Sequence, residues 1–124
     1  MKIAFITSGL EPGRDGVGDY TRFLAQECTR QGAAVAALAL NDALVKTDAP
    51  ANSEALPMLR LGRAQPWDVR FEQARRFLIE FAPDAISLQF VCYGYHPKGF
   101  AFRIAPFLQR LIGATRLQIM FHET

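Results

Sequence analysis

The sequence predicts an α/β fold, a Rossmann-like parallel sheet with helices on both faces. Short, continuously apolar segments alternate with stretches whose apolar residues recur at helical spacing. Continuous apolar runs are typical of strands buried on both faces, and strands that alternate with helices form parallel, right-handed, doubly wound sheets. The chain has 124 residues, half of them hydrophobic, which is enough for one core. We therefore expect residues 1–124 to form a single domain.

The first predicted unit is a strand, a loop, a helix and a second strand. Residues 3–7 form the first strand, and residues 33–40 form the second after a short turn. Between them a helix is predicted, with Asp19 as its N-cap and Gly32 as its C-cap. The residues expected to face the core from this helix are Tyr20, Phe23, Leu24 and Cys28.

The second half of the chain continues the alternation. Residues 41–57 have no periodicity and are predicted to be a loop, followed by a short third strand at 58–61. A helix begins near Trp67 and stops before Pro83, because proline clashes with the preceding turn. A fourth strand at 85–91, a helix at 104–112 that Gly113 caps, and a fifth strand at 117–121 complete the pattern.

Composition excludes several classes of protein. The formal net charge of +2 is too small, and its basic residues too scattered, for a nucleic-acid binder. Cys28 and Cys92 have no metal-ligand spacing and are expected to be reduced, as in a cytoplasmic protein without a metal site. No signal sequence or membrane span is predicted. Peripheral association with a membrane remains open.

Ligands of doubly wound sheets bind beyond the carboxyl ends of the strands, where the strand order reverses. Here that point is expected between the first and fourth strands. The loops at residues 9–19, 93–99 and 122–123 should meet there, and they contain most of the glycines and both histidines.

Glycines precede the first helix at positions 13, 16 and 18. Gly13, Gly16 and Gly18 would let backbone N–H groups approach a ligand closely, and a helix N-terminus favours an anion such as phosphate. A flexible surface turn fits the same pattern equally well. Arg14 could add a cation, although a solvated arginine is the commoner role.

The other two loops carry groups that can bind sugars or phosphates. His122 follows the fifth strand, and its imidazole could bind a hydroxyl or phosphate or serve a structural role. Glu123 could orient that ring or face solvent. His96 and Lys98, next to Tyr95, suit an acceptor, and an exposed polar loop is the alternative.

Three stretches together resemble the amino-terminal half of a known family. They are GVGDYTRFLA at 16–25 with RQGAAV at 30–35, SLQFV and YGYHPKG at 87–99, and IMFHE at 119–123. The pattern resembles glycosyltransferase family 4 and its GT-B relatives over essentially the whole chain. It departs at Asp15, where many members have glycine, and at Ala33-Ala34, which replaces the histidine of a Gly-His-x-Val pattern.

The resemblance implies transfer of a sugar from a nucleotide-sugar donor to an acceptor of unknown identity, with retention and without a metal or other cofactor. In that family the loop before the first helix faces the donor diphosphate, and a histidine after the fifth strand contacts the donor sugar. His122 would then be catalytic, with Glu123 near the donor sugar. The donor-phosphate loop would comprise Gly13, Gly16, Val17, Gly18 and Asp19, and the acceptor side would comprise Arg14, Tyr95, His96 and Lys98.

GT-B enzymes need a second Rossmann-like domain to bind the nucleotide. The 124 residues correspond to the acceptor-side half, without the carboxy-terminal donor domain. We therefore expect the chain alone to lack transferase activity and to bind the donor weakly.

Two alternatives stay open. A dinucleotide-binding oxidoreductase domain would use Asp42 for the ribose, but its G-x-G-x-x-G fingerprint fits poorly because position 21 is Thr. A non-catalytic module could pair with a separate donor domain or dimerise through an exposed sheet edge.

Glu72 and Glu80 have the spacing of a glutamate pair that retaining glycosyltransferases use for the donor, in their other domain. Here they alternate with arginines, which predicts an ion-paired, solvated helix face.

Overall fold

The computed structural model describes residues 1–10, 16–42, 49–50, 56–90, 104–113 and 115–121. The helices are α1 (Gly16–Arg30), α2 (Trp67–Phe81) and α3 (Ile104–Ile112). The strands are β1 (Lys2–Thr7), β2 (Ala34–Asp42), β3 (Ala49–Pro50), β4 (Met58–Gly62), β5 (Ala85–Phe90) and β6 (Arg116–Phe121). Among the described residues, no helix is long and apolar enough to cross a membrane.

These strands form one sheet in the order β3-β4-β2-β1-β5-β6. Every neighbouring pair is parallel except β3 with β4. The chain moves from β1 to β2 on one side and later returns to β5 on the other, so the strand order reverses between β1 and β5. The predicted fold class and switch point are confirmed.

Helices cover both faces of the sheet. Strand residues alternate between the faces, so in β2 the residues Val35, Ala37 and Ala39 pack in the cluster beneath α1, whereas Leu38 and Leu40 pack beneath α2 and α3. The central strands are therefore buried on both sides, as their continuous apolar sequence predicts.

The predicted core face of α1 is partly wrong. Tyr20 is 41% and Phe23 is 64% exposed, and the buried residues of the helix are Gly18, Thr21 and Ala25. At Gly18 the helix lies close to the backbone that follows β1, where a larger side chain has no room. Leu24 and Cys28 do pack against the cluster beneath α1, as expected.

The helix ends match the sequence signals well. Gly32 and Gly113 have φ angles of 99° and 60°, in the region that favours glycine, and they follow α1 and α3. The residue after α2 is Ala82, which takes a left-handed φ of 53° and donates its N–H to the carbonyl of Leu78 at 2.8 Å. Proline follows, so α2 ends where the sequence predicts.

Two strands differ from the prediction. The second strand was expected to end at Leu40, but Asn41 and Asp42 continue β2, because the Asn41 N–H donates to the Ser8 carbonyl at 2.9 Å and Asp42 pairs with Gly62. The predicted loop at 41–57 also contains β3, which pairs antiparallel with β4 at the sheet edge.

Candidate functional site

The candidate site lies at the carboxyl edge of the sheet, around the reversal between β1 and β5. Ile6 pairs with Leu88, and Gln89 pairs with Met120, so β1, β5 and β6 end along the same edge. The sequence-predicted residues Gly13, Arg14, Tyr95, His96, Lys98, His122 and Glu123 lie outside the described residues, and their roles stay predictions.

The four other predicted donor-phosphate residues form the first turn of α1. Gly16, Val17, Gly18 and Asp19 were expected in a loop before the helix, with Asp19 as N-cap, and that boundary is wrong because the helix already begins at Gly16. Their place still suits an anion, since a helix N-terminus carries partial positive charge. The exposed carboxylate of Asp19 in this turn also interacts favourably with the partial positive charge. It would therefore compete with a bound phosphate.

The two glycines of this turn have different surroundings. Among the described residues, a Cβ on Gly16 would meet nothing within 4 Å. A Cβ on Gly18 would overlap the carbonyl oxygen of Gly9 and would lie 3.1 Å from the Cα of Leu10. Gly18 thus allows the helix to touch the backbone that follows β1, which is a packing role that the sequence did not indicate, whereas Gly16 remains open to solvent.

Charged side chains hold the segment Ser8, Gly9 and Leu10 after β1. The Leu10 N–H donates to the Asp42 carboxylate at 3.0 Å, and the same oxygen accepts from Arg60 Nε at 2.9 Å. The Leu10 carbonyl accepts from Arg22 Nε at 2.8 Å and also from a terminal nitrogen of that guanidinium. Both polar groups of the Leu10 backbone are therefore bound by side chains from β2 and α1.

Sequence reasoning missed Arg22 and Arg60 at this site. One signal was available for Arg22, since it follows Gly18 by four residues and therefore lies on the same helix face. No local pattern marks Arg60, because its contact with Asp42 joins neighbouring strands.

Asp42 is poorly placed to bind a ribose. Its residue is 1% exposed, and its carboxylate already binds Arg60 and the Leu10 amide. A ribose hydroxyl would have to displace these donors from a buried position. This geometry counts against the dinucleotide-binding alternative.

Polar residues concentrate at the carboxyl ends of the central strands. Thr7, Asn41, Asp42 and Gln89 are all buried there, while the first buried residue of each of these strands is apolar. The Thr7 hydroxyl has no hydrogen-bond partner within the part of the chain that the structure describes. Buried polar groups are costly unless they have a structural or functional use, so this edge differs from the rest of the core.

A second polar chain runs across β5 and β6. The Gln89 amide donates to the Ser87 hydroxyl at 2.9 Å, and Ser87 Oγ lies 2.6 Å from Gln118 Oε1. The first bond lies within β5, and the Ser87–Gln118 bond ties β6 to β5 next to the switch point. It helps to hold the strand that precedes the predicted catalytic residue His122 in the sequence.

The arginine-rich face of α2 is an exposed ion-paired surface, as predicted. Oε1 of the Glu72 carboxylate lies 2.8 Å from Nη2 of Arg75 and 3.6 Å from Nη2 of Arg76. The hydrogen bond from Arg75 lowers the pKa of the Glu72 carboxyl below its ordinary value. Over the described ranges, no three His, Cys, Asp or Glu residues come together as a metal site.

A cavity of about 370 Å³ lies between α2 and α3, near the amino-terminal ends of the strands. Its walls are mostly apolar and include Leu78, Ile79 and Leu111, close to the start of β5. It is therefore remote from the first turn of α1 and does not coincide with the predicted site.

Comparison with known proteins gives a structural match. No protein-family model matches the chain, and no curated protein matches it significantly. The chain is similar in structure to sucrose-phosphate synthase from Thermosynechococcus elongatus, with a TM-score of 0.57 and 16% sequence identity. The match covers 98% of this chain and 32% of that chain, so this chain spans about a third of its neighbour. At this identity the likeness establishes a shared α/β fold.

Proposed function

We propose that this chain is the amino-terminal, acceptor-side domain of a glycosyltransferase that uses a nucleotide-sugar donor. One observation carries the proposal: nearly the whole chain superposes on part of a glycosyltransferase, the sucrose-phosphate synthase. The position of the α1 N-terminus beside the β1–β5 switch point supports it, because diphosphates bind at such helix ends in doubly wound sheets.

Each predicted site residue has a role in this proposal. The first turn of α1, at Gly16 and Val17, faces the donor diphosphate together with Gly13, while Gly18 and Asp19 shape that turn. His122 contacts the donor sugar at the reacting centre, with Glu123 beside it. Arg14, Tyr95, His96 and Lys98 hold the acceptor. The reaction proceeds with retention and needs no metal, and the nucleotide sugar is a substrate and not a resident cofactor.

Transfer also requires a second domain, which binds the nucleotide while this domain adds contacts to the diphosphate. The 124-residue chain by itself is therefore inactive and binds donors weakly. Turnover of a nucleotide sugar by the chain alone would contradict this part of the proposal, whereas turnover only after a donor domain is supplied would support it.

Binding can be tested on the chain directly. We expect UDP, ADP or GDP to shift the backbone NMR signals of Leu10, Gly16 and Val17 at millimolar concentrations, with NAD as the comparison ligand. Equal or stronger shifts with NAD would favour the dinucleotide alternative. No shift with any of the three diphosphates would refute the proposed function.

A non-catalytic pairing module is the second candidate, and one observation favours it. β6 has a single strand neighbour among the described residues, and its Leu117 and Ile119 are 41% and 42% exposed. Unpaired strand edges can bind another strand. A molar mass that rises with concentration in light scattering would support pairing between copies, and a monomer at all concentrations would count against it.

A further inference from the structure

We propose that Arg22 and Asp42 are positioning residues that set the backbone after β1 for binding of the donor diphosphate. This inference rests on the proposed function, because it assigns the role of these two side chains toward that ligand. Neither residue needs to touch the ligand. Each acts through Leu10, whose N–H and carbonyl bind Asp42 and Arg22 respectively.

The contacts form a clamp on one short segment. The Ser8 carbonyl accepts from the Asn41 N–H at 2.9 Å, and the Leu10 N–H donates to Asp42 at 3.0 Å, so β2 fixes one side of the segment. Arg22 reaches from the second turn of α1 and fixes the other side through two donors to the Leu10 carbonyl. The clamp thereby links the end of β1 to the start of α1.

Arg22 and Gly18 act on the same backbone from the same helix. Gly18 brings α1 against Gly9, and Arg22, one turn later, holds Leu10. Together they fix the helix start relative to β1, and with it the direction of the N–H groups in the first turn. Preorganised donors bind an anion more tightly because less conformational freedom is lost on binding.

Asp42, which binds the Leu10 N–H, is itself held in place by an ion pair. A carboxylate in this buried position is compensated by Arg60, whose Nε lies 2.9 Å away, with 17% of the arginine side chain exposed. Such a pair is held in one arrangement because either charge left alone would be costly. The Asp42 oxygen that accepts from Arg60 also accepts from the Leu10 N–H. The ion pair therefore orients the carboxylate that holds Leu10.

The test uses Arg22→Gln and Asp42→Asn, with whichever of UDP, ADP and GDP binds the unaltered chain most tightly. Arg22→Gln removes the charged two-donor contact, and we expect the Kd to rise by about tenfold, as for loss of one charge-assisted hydrogen bond. Arg22→Lys keeps one cationic donor and should restore part of the affinity. Asp42→Asn keeps an oxygen for Leu10 but loses the charge, so a smaller rise in Kd and faster hydrogen exchange at the Leu10 amide are expected.

Two variants provide matched controls. Arg30→Gln makes the same charge change on α1, where Arg30 pairs with Glu27 at 2.7 Å in the last turn. Asp84→Asn makes the same change at the opposite edge of the sheet, where Asp84 accepts from the Lys2 N–H at 2.8 Å. Neither control contacts the segment after β1, so both should leave the Kd unchanged.

All Kd values are measured at a temperature where the NMR spectrum shows each variant to be folded. A purely structural role would lower the unfolding temperature and leave the Kd of the folded chain unchanged. If the unaltered chain binds a diphosphate and the Kd values of Arg22→Gln and Asp42→Asn stay within twofold of the controls, the positioning role is wrong. If the unaltered chain binds none of the three diphosphates, the proposed function itself fails.

Discussion

Replacement of Gly18 by alanine tests the close contact between α1 and the backbone after β1. The new Cβ would overlap the Gly9 carbonyl oxygen and lie 3.2 Å from the Gly9 carbonyl carbon. These are backbone atoms, so no side chain can move aside. Overpacking of this kind costs about 1–3 kcal/mol. Against this, alanine gains up to about 1 kcal/mol over glycine within a helix.

Gly16→Ala makes the same change two residues earlier and is the matched control for the effect on stability. A Cβ at Gly16 meets nothing within 4 Å in the part of the chain that the structure describes, so only the glycine-to-alanine gain is expected there. We expect Gly18→Ala to be less stable than Gly16→Ala by about 1–3 kcal/mol, the steric cost alone. For a chain of this size that is a difference in Tm of roughly 3–12 °C.

Thermal and urea unfolding, followed by circular dichroism, measure this difference. Equal m-values for the two variants would show that the same surface is exposed on unfolding, so the free energies can be compared. If Gly18→Ala is as stable as Gly16→Ala or more stable, the close contact and the inward face assigned to α1 are wrong.

Three further predictions concern the core and the surface. Arg70→Met should destabilise the chain by about 2–4 kcal/mol in urea unfolding. Buried Arg70 donates to the Leu40 carbonyl at 3.0 Å and to Asn41 Oδ1 at 2.9 Å, and methionine cannot replace these bonds. An unchanged urea midpoint would contradict them. Leu38→Ala should cost about 2–5 kcal/mol in the same assay, since Leu38 is fully buried between strands and helices, and a loss below about 1 kcal/mol would contradict its central place. Glu72→Gln should lower the Tm at pH 7 only slightly, because its ion pairs are exposed and contribute little. The pKa of Glu72 is lowered by Arg75, so its contribution is present above the unfolded pKa and lost as the pH falls, and the variant should show a slightly flatter decline of Tm in acid.

Much of the fold could be predicted because buried parallel strands have a simple signature. Continuous apolar runs identified β1, β2 and β5, and alternation with helices indicated the sheet and its switch point. Asn41 and Asp42 resemble turn residues, so the end of β2 was missed. Their polar side chains are accommodated there by Arg70 and Arg60, which are distant in sequence.

The inward face of α1 escaped prediction for a different reason. Hydrophobic periodicity detects large apolar residues such as Phe23, which is exposed here, and overlooks Gly18 and Ala25, which are buried. Close packing against backbone selects small residues, and they carry little hydrophobic signal. The clamp around Leu10 was likewise hidden, because its contacts join α1, β2 and β4 through tertiary structure.

The central claim is that the carboxyl edge of the sheet at the β1–β5 switch point binds a nucleoside diphosphate. The most direct measurement is a backbone NMR titration of the chain with UDP, ADP and GDP that maps the shifted amides on both edges. We predict shifts at Leu10, Gly16 and Val17 and none at Ala34 or Ala85, which lie toward the amino edge. Shifts confined to the amino edge or to the cavity between α2 and α3 would contradict the claim.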